Sequence, residues 1–211
     1  QYQYLQSHYD SIISIHLPHE MSGTYQSAIS ASKRVNDSSI TVVDGLSASV
    51  GLGLIVMRAA ALVKDGRNHN EIEKSLSEII TSTNIFIVVR DLSYVVKGGR
   101  LPAWVKKIAD FLHIRPVLTT KDDGSMGASG IIKGTTNLPE KMSKFVLGKM
   151  DTQKSYNISI GHCNTKADGE KLKELIQKGH KGINSIYFME IGCALGVHAG
   201  PGSLAAAIQP A

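Results

Sequence analysis

Cysteine is nearly absent from this chain: Cys163 and Cys193 are the only two in 211 residues, and they lie far apart. Two thiols at that separation exclude a disulfide scaffold and supply no metal-ligand spacing. They are read as reduced thiols of a cytosolic protein, taking part in the packing. Aromatic residues are also sparse, at 6%. No basic arm with interleaved aromatics occurs, so the formal net charge of +5 does not point to nucleic acid. Lysines scattered as in Lys171-Leu172-Lys173-Glu174 read instead as solvated helix faces. Long hydrophobic runs are missing too. The nearest approach to a membrane span, Leu46 to Val63, is rich in Ala, Gly and Ser and is interrupted by Arg58. It reads as a close-packed internal helix whose small residues admit a neighbouring strand, and no integral membrane segment is expected. No segment reads as a secretory signal.

Several catalytic signatures are lacking as well. Gly51-Leu52-Gly53 has Val56 where the dinucleotide fingerprint needs its third glycine. Neither a phosphate-binding loop ending in Gly-Lys-Ser/Thr nor a Gly-x-Ser-x-Gly nucleophile elbow occurs. The eight histidines show no zinc-protease pairing. His16 and His19, taken as residues of one strand, would point to opposite faces and share no metal. Asp122-Asp123 reads as a solvated hairpin turn rather than an acid/base pair.

What the chain does contain is an ordinary soluble composition, 42% hydrophobic and 19% charged, with ample length for a core. Apolar runs and helical periodicities alternate. Strands are expected at Ser11–Leu17, Ile40–Val43, Ile85–Val89, Arg115–Thr120, Asn157–Gly161 and Ile186–Ile191. Helices are expected at Thr24–Val35, Leu46–Val63, Glu71–Ile80, Ala103–Leu112, Pro139–Leu147 and Ala167–Lys178, with an Ala-rich helix after Ser203. This alternation predicts an α/β protein with parallel or mixed sheets flanked by helices. Two α/β units are expected, residues 1–112 and 113–211, with residues 196–204 closing back on a ligand site in the first. The opening Gln1-Tyr2-Gln3-Tyr4-Leu5 reads as the end of a helix. With no initiator Met, an earlier part of the first unit is expected to be missing.

The most informative segment is Met21-Ser22-Gly23-Thr24-Tyr25-Gln26-Ser27-Ala28, which follows the apolar run Ile12-Ile13-Ser14-Ile15. A strand that stops there and launches a hydroxylated helix N-terminus aims amides and hydroxyls at one point, as an anion site requires. A plain helix cap uses the same residue types, and the octapeptide alone does not choose between the two. Near the other end, His198-Ala199-Gly200-Pro201-Gly202-Ser203 combines an imidazole donor with glycines that permit close backbone approach. Taken alone, the segment reads first as a tight turn with a satisfied histidine. Lys97-Gly98-Gly99-Arg100 reads as a turn that could also contact an anion.

Taken in order, these segments resemble the DegV family of bacterial fatty-acid-binding proteins. Ser22–Ala28 looks like its first signature, and Asp44 with Gly51-Leu52-Gly53 like its second. Leu92-Ser93-Tyr94-Val95-Val96-Lys97-Gly98-Gly99-Arg100-Leu101 is similar to its Gly-Gly-Arg stretch. Arg115-Pro116-Val117-Leu118 with Asp123-Gly124, and His198-Ala199-Gly200-Pro201-Gly202, match later elements. The resemblance implies two α/β domains and a buried long-chain fatty acid, with no further cofactor, no metal and no catalytic residue. Its carboxylate would be held by Ser22, Gly23, Thr24 and His198, with Gly99, Arg100, Gly200 and Gly202 in support. The family's upstream threonine ligand is not in this chain. Some members are similar to the subunit that presents a fatty acid to a separate kinase. Here Gly134, in Lys133-Gly134-Thr135, takes the place of the arginine linked to that partnership, and Ala199 replaces a common threonine. The reading from another class is an enzyme domain that binds a phosphorylated metabolite at the same turn; it would need a metal-binding carboxylate cluster.

Overall fold

Short β-branched runs become strands and the periodic segments between them become helices. The computed structural model describes residues 1–35, 38–134 and 136–211, so Thr135 of the expected Lys133-Gly134-Thr135 element lies outside the described residues. In order, the elements are α1 (Tyr2–Gln6), β1 (Ile12–His16), α2 (Thr24–Val35), β2 (Ile40–Asp44), α3 (Ser49–Lys64), α4 (His69–Ser82), β3 (Asn84–Val88), α5 (Ser93–Lys97) and α6 (Ala103–Phe111). They continue with β4 (Ile114–Thr120), β5 (Met126–Lys133), α7 (Leu138–Leu147), β6 (Tyr156–His162), α8 (Lys166–Gly179), β7 (Ile183–Glu190), α9 (Cys193–Ala199) and β8 (Leu204–Pro210).

The strands form a parallel pair, β1–β2, and a six-stranded mixed sheet of order β5-β4-β3-β8-β6-β7. In the larger sheet only β6 and β7 run parallel; β8 is antiparallel to both of its neighbours. One face is sealed by α7 and α8, where Met142, Ile158, Ile160, Leu172 and Ile176 are fully buried. Each such side chain contributes about 1.5–3 kcal/mol by leaving water. On the opposite face α3 packs Val50 and Leu54 against Ile85, Ala205 and Ala207, while α5 and α6 cover Leu118. The other side of α3 packs Ile55 and Ala59 on α4, along with Ile13, Ile15 and Val43 of the small sheet. Thus α3 is the wedge between the two sheets, as its small residues foretold: a Cβ on Gly51 would meet Ile85 at 3.1 Å. Helix α4 starts with a reciprocal capping box between Asn68 and Glu71. Among the described residues, no helix is long and apolar enough to cross a membrane.

Three expectations need correction. The Ala-rich tail after Ser203 is not a helix but β8, a central strand in which Leu204 to Ala207 are wholly buried. Alanine favours helices, yet here its small size lets α3 pack on one face of the sheet and the α7–α8 layer on the other, and tertiary packing overrides propensity. Strand β3, from the expected first unit, pairs with β8, from the expected second, in the larger sheet. Strand β7 starts at Ile183, earlier than expected, and the short helix α9 carries the chain from it to His198. Cys193 is exposed at the start of α9 rather than packed, whereas Cys163 is half-buried and its thiol pKa is pushed up mainly by that burial.

Candidate functional site

A cavity of about 270 Å³ lies over the α3 side of the large sheet. Ile87 and Ala205, paired across β3 and β8, form part of its floor. Leu17, Met21 and Ser22 reach it from the β1–α2 connection, Thr24 from the first turn of α2, Ala48 and Ser49 from the start of α3, and Leu195 and His198 from α9. The lining is overwhelmingly aliphatic, with Ser22, Thr24, Ser49, Arg100 and His198 as its polar members. A site of this kind suits an elongated apolar ligand with one polar group.

Ser22 is half-buried, two residues before α2. Its oxygen accepts from the Thr24 hydroxyl at 3.2 Å and the Thr24 amide at 3.4 Å. A hydroxyl that accepts in this way keeps its proton for another partner. The first amides of α2 lack intrahelical partners by geometry and add positive potential there. Gly23 is exposed and does not line the cavity, whereas its carbonyl accepts from the Ser27 amide at 3.0 Å and so begins the helix.

His198 sits in the last turn of α9 and lines the cavity, and its Nδ1 is buried with no hydrogen-bond partner among the described residues. A buried ring nitrogen without a partner is costly. The ring is seated against Gly98, where any Cβ would overlap Nδ1. Gly98, which seats the ring, is not among the residues expected from the sequence; the doubled glycine carries its signal, and the expectation falls on Gly99 instead. Gly99 closes α5 by donating to the Val96 carbonyl at 2.9 Å and does not touch the cavity. Gly200 takes a φ of +74° with Tyr94 only 2.5 Å from where a Cβ would stand, so no other residue fits that turn. Gly202 donates to the Cys163 carbonyl at 2.7 Å and anchors the strand entry. Gly200 and Gly202 thus support α9 and β8 from outside the cavity.

Arg100 lines the cavity, but its guanidinium is already engaged. Nε and one terminal nitrogen donate to the Met21 carbonyl at 3.2 and 3.0 Å, and the other terminal nitrogen donates to the Gly98 carbonyl at 2.6 Å. One guanidinium therefore joins the residue before Ser22 to the residue that seats His198. Ser22, Thr24, Arg100 and His198 are brought together; Gly23, Gly99, Gly200 and Gly202 frame them from outside. Among the described residues, no group of three or more His, Cys, Asp and Glu is placed to hold a metal.

A mixed α/β architecture around an aliphatic cavity with a few convergent donors defines a class: α/β proteins that enclose an amphipathic small molecule. The comparisons are more specific. The family model described as "Uncharacterised protein, DegV family" matches residues 2–211. A DegV domain-containing protein of Clostridium perfringens is 31% identical over 203 residues, covering 94% of this chain and 69% of the relative. A DegV family protein from Thermus thermophilus, described by its fatty acid binding, superposes with a TM-score of 0.87 at 25% identity, over 100% of this chain and 74% of that one. A Thermotoga maritima protein described as revealing fatty acid binding function gives 0.83 at 25% identity, over 99% and 72%. The chain belongs to the DegV family.

Proposed function

We propose that this protein binds a long-chain fatty acid in the cavity, with the carboxylate held by Ser22 and His198 and the acyl chain along Ile87, Leu118 and Ala205. The observation that carries the reading is an aliphatic cavity whose few polar members, Ser22, Thr24, Ser49, Arg100 and His198, include both a hydroxyl and an imidazole. Each buried methylene contributes about 0.8 kcal/mol, so the tail supplies affinity and the polar groups need only keep the carboxylate paired. Fatty acid binding by the Thermus and Thermotoga relatives supports this reading. Ser22 accepts from Thr24 and contacts no general base, so the site reads as a ligand clamp and not as a nucleophile.

The finer reading is a cytoplasmic carrier that needs no other cofactor. A kinase that takes up the bound acid is the weaker extension, because Gly134 stands where the family's kinase-linked arginine is expected. Mass spectrometry of lipids extracted from gently purified protein tests the core proposal. It should yield C14–C18 acids at about one per chain, a length suited to an extended pocket. Protein that neither carries such acids nor binds added palmitate would refute it.

A further inference from the structure

We infer that His19, together with Asp44, is a positioning residue that holds the Ser22-bearing segment over the cavity, an inference that rests on the fatty-acid reading above. The segment between β1 and α2 supplies Leu17, Met21 and Ser22 to the lining and is tied down from two opposite sides. Arg100 grips the Met21 carbonyl on one side. On the other, one Asp44 oxygen accepts from both the His19 amide, at 3.1 Å, and the His19 ring Nδ1, at 2.6 Å. The second Asp44 oxygen accepts from the Leu46 amide at 2.9 Å. A single carboxylate thus couples the segment to the turn that opens α3, whose Ala48 and Ser49 share the cavity wall.

That turn is strained, with Leu46 at φ 44° and Ser49 at φ 49°. Left-handed backbone at such residues persists only where surrounding bonds enforce it, and Asp44 supplies one. The segment itself is a tight coil in which the Met21 and Ser22 amides both donate to the Pro18 carbonyl at 3.0 Å. His19 lies with Glu20 inside this coil, so its motion is passed on to Ser22. Neither histidine of this region touches the cavity, so His19 acts through the segment and not on the ligand.

The tie carries charge. His19 faces Asp44 of β2, Glu20 of its own segment at 3.2 Å, Asp123 of the β4–β5 turn and the Tyr25 ring of α2 at 6.3 Å. The Asp44 hydrogen bond, then the acidic surroundings, hold its pKa above the usual imidazole value. His16, which also feels Asp44, is pushed the other way by burial. The tie is therefore complete while His19 is protonated and loosens as pH rises through its raised pKa. His19 is half exposed, so solvent screening keeps the effect modest.

Release of the fluorescent fatty acid cis-parinaric acid, followed by stopped flow at pH 6 and pH 8.5, tests this. Wild-type release should be roughly two- to fivefold faster at the higher pH, the scale of an exposed ion pair. His19→Gln should release at the faster rate at both pH values, and Asp44→Asn likewise. His19→Arg, which keeps a permanent cation, should restore slow release at both. Amide exchange of residues 17–24 should quicken in His19→Gln whether or not ligand is present. A His19→Gln profile and exchange pattern identical to wild type would overturn the inference while leaving fatty-acid binding intact. Wild-type protein that binds no parinaric acid would overturn the fatty-acid reading and the positioning role with it.

Discussion

The His198 imidazole occupies the space that a side chain on Gly98 would fill, so these two residues are complementary in shape: a Cβ on Gly98 would overlap Nδ1. That nitrogen is also the buried one without a partner in the protein. The turn after α5 and the end of α9 are therefore fitted to each other around a ring that lines the cavity. Gly98→Ala should displace the ring and weaken fatty-acid affinity by about 1–3 kcal/mol, the scale of a lost hydrogen bond to a charged group. Isothermal titration with palmitate measures this, and a melting temperature close to wild type would separate it from misfolding.

Ser22→Ala removes the hydroxyl that has a proton to spare. The account predicts a loss of about 1–3 kcal/mol in palmitate affinity with little change in fold stability, since the residue is half-buried and outside α2. Unchanged affinity would take Ser22 out of the site.

Arg100 discriminates between charge and geometry. Its guanidinium spans the Met21 and Gly98 carbonyls, a fork that a lysine ammonium does not reproduce. Arg100→Lys and Arg100→Ala should therefore weaken binding to a similar degree. Full activity of the lysine variant in a palmitate-binding assay would show that Arg100 acts as a free cation instead.

Much of this arrangement was legible in the chain, for physical reasons that differ from place to place. Uninterrupted runs such as Ile85 to Val89, and the 3.6-residue spacing of Ile72, Leu76 and Ile79, declare their elements because burial demands them locally. Ser22 and His198 stood out because hydroxyls at a helix start and an imidazole among glycines are chemically specific. Residues 204–210 misled because alanine's local preference for helix is strong and its role as a thin central strand exists only once α3 is in place. Gly98 was overlooked in favour of Gly99 because the demand on it comes from a ring 100 residues further along the chain, which local pattern does not carry.

The thin floor of the cavity makes a further prediction. Ala205 is fully buried and lines the cavity beside Ile87. Ala205→Leu should fill part of that volume and shift the co-purified acids toward shorter chains, with overpacking costing about 1–3 kcal/mol of stability. Extraction and mass spectrometry of the variant reads the acyl length; an unchanged distribution would place the tail elsewhere.

Away from the site, Glu140 of α7 and Lys171 of α8 pair across the two helices that seal the far face. The Lys171 hydrogen bond, more than any other influence, holds the Glu140 carboxyl below its usual range. A depressed carboxylate contributes stability that is present above its unfolded pKa and is lost as pH falls through the folded value. Glu140→Gln should therefore melt below wild type at pH 7, and the gap should close below about pH 4. Melting curves across pH 3–7 test this, and a gap independent of pH would assign the effect to packing.

The most direct test of the central claim is a crystal structure of the protein with palmitate bound. The account predicts the carboxylate within about 2.7–3.0 Å of both Ser22 Oγ and a His198 ring nitrogen, with the tail running over Ile87 and Ala205. A carboxylate located away from both residues, or a cavity left unfilled beside a lipid bound elsewhere, would contradict it.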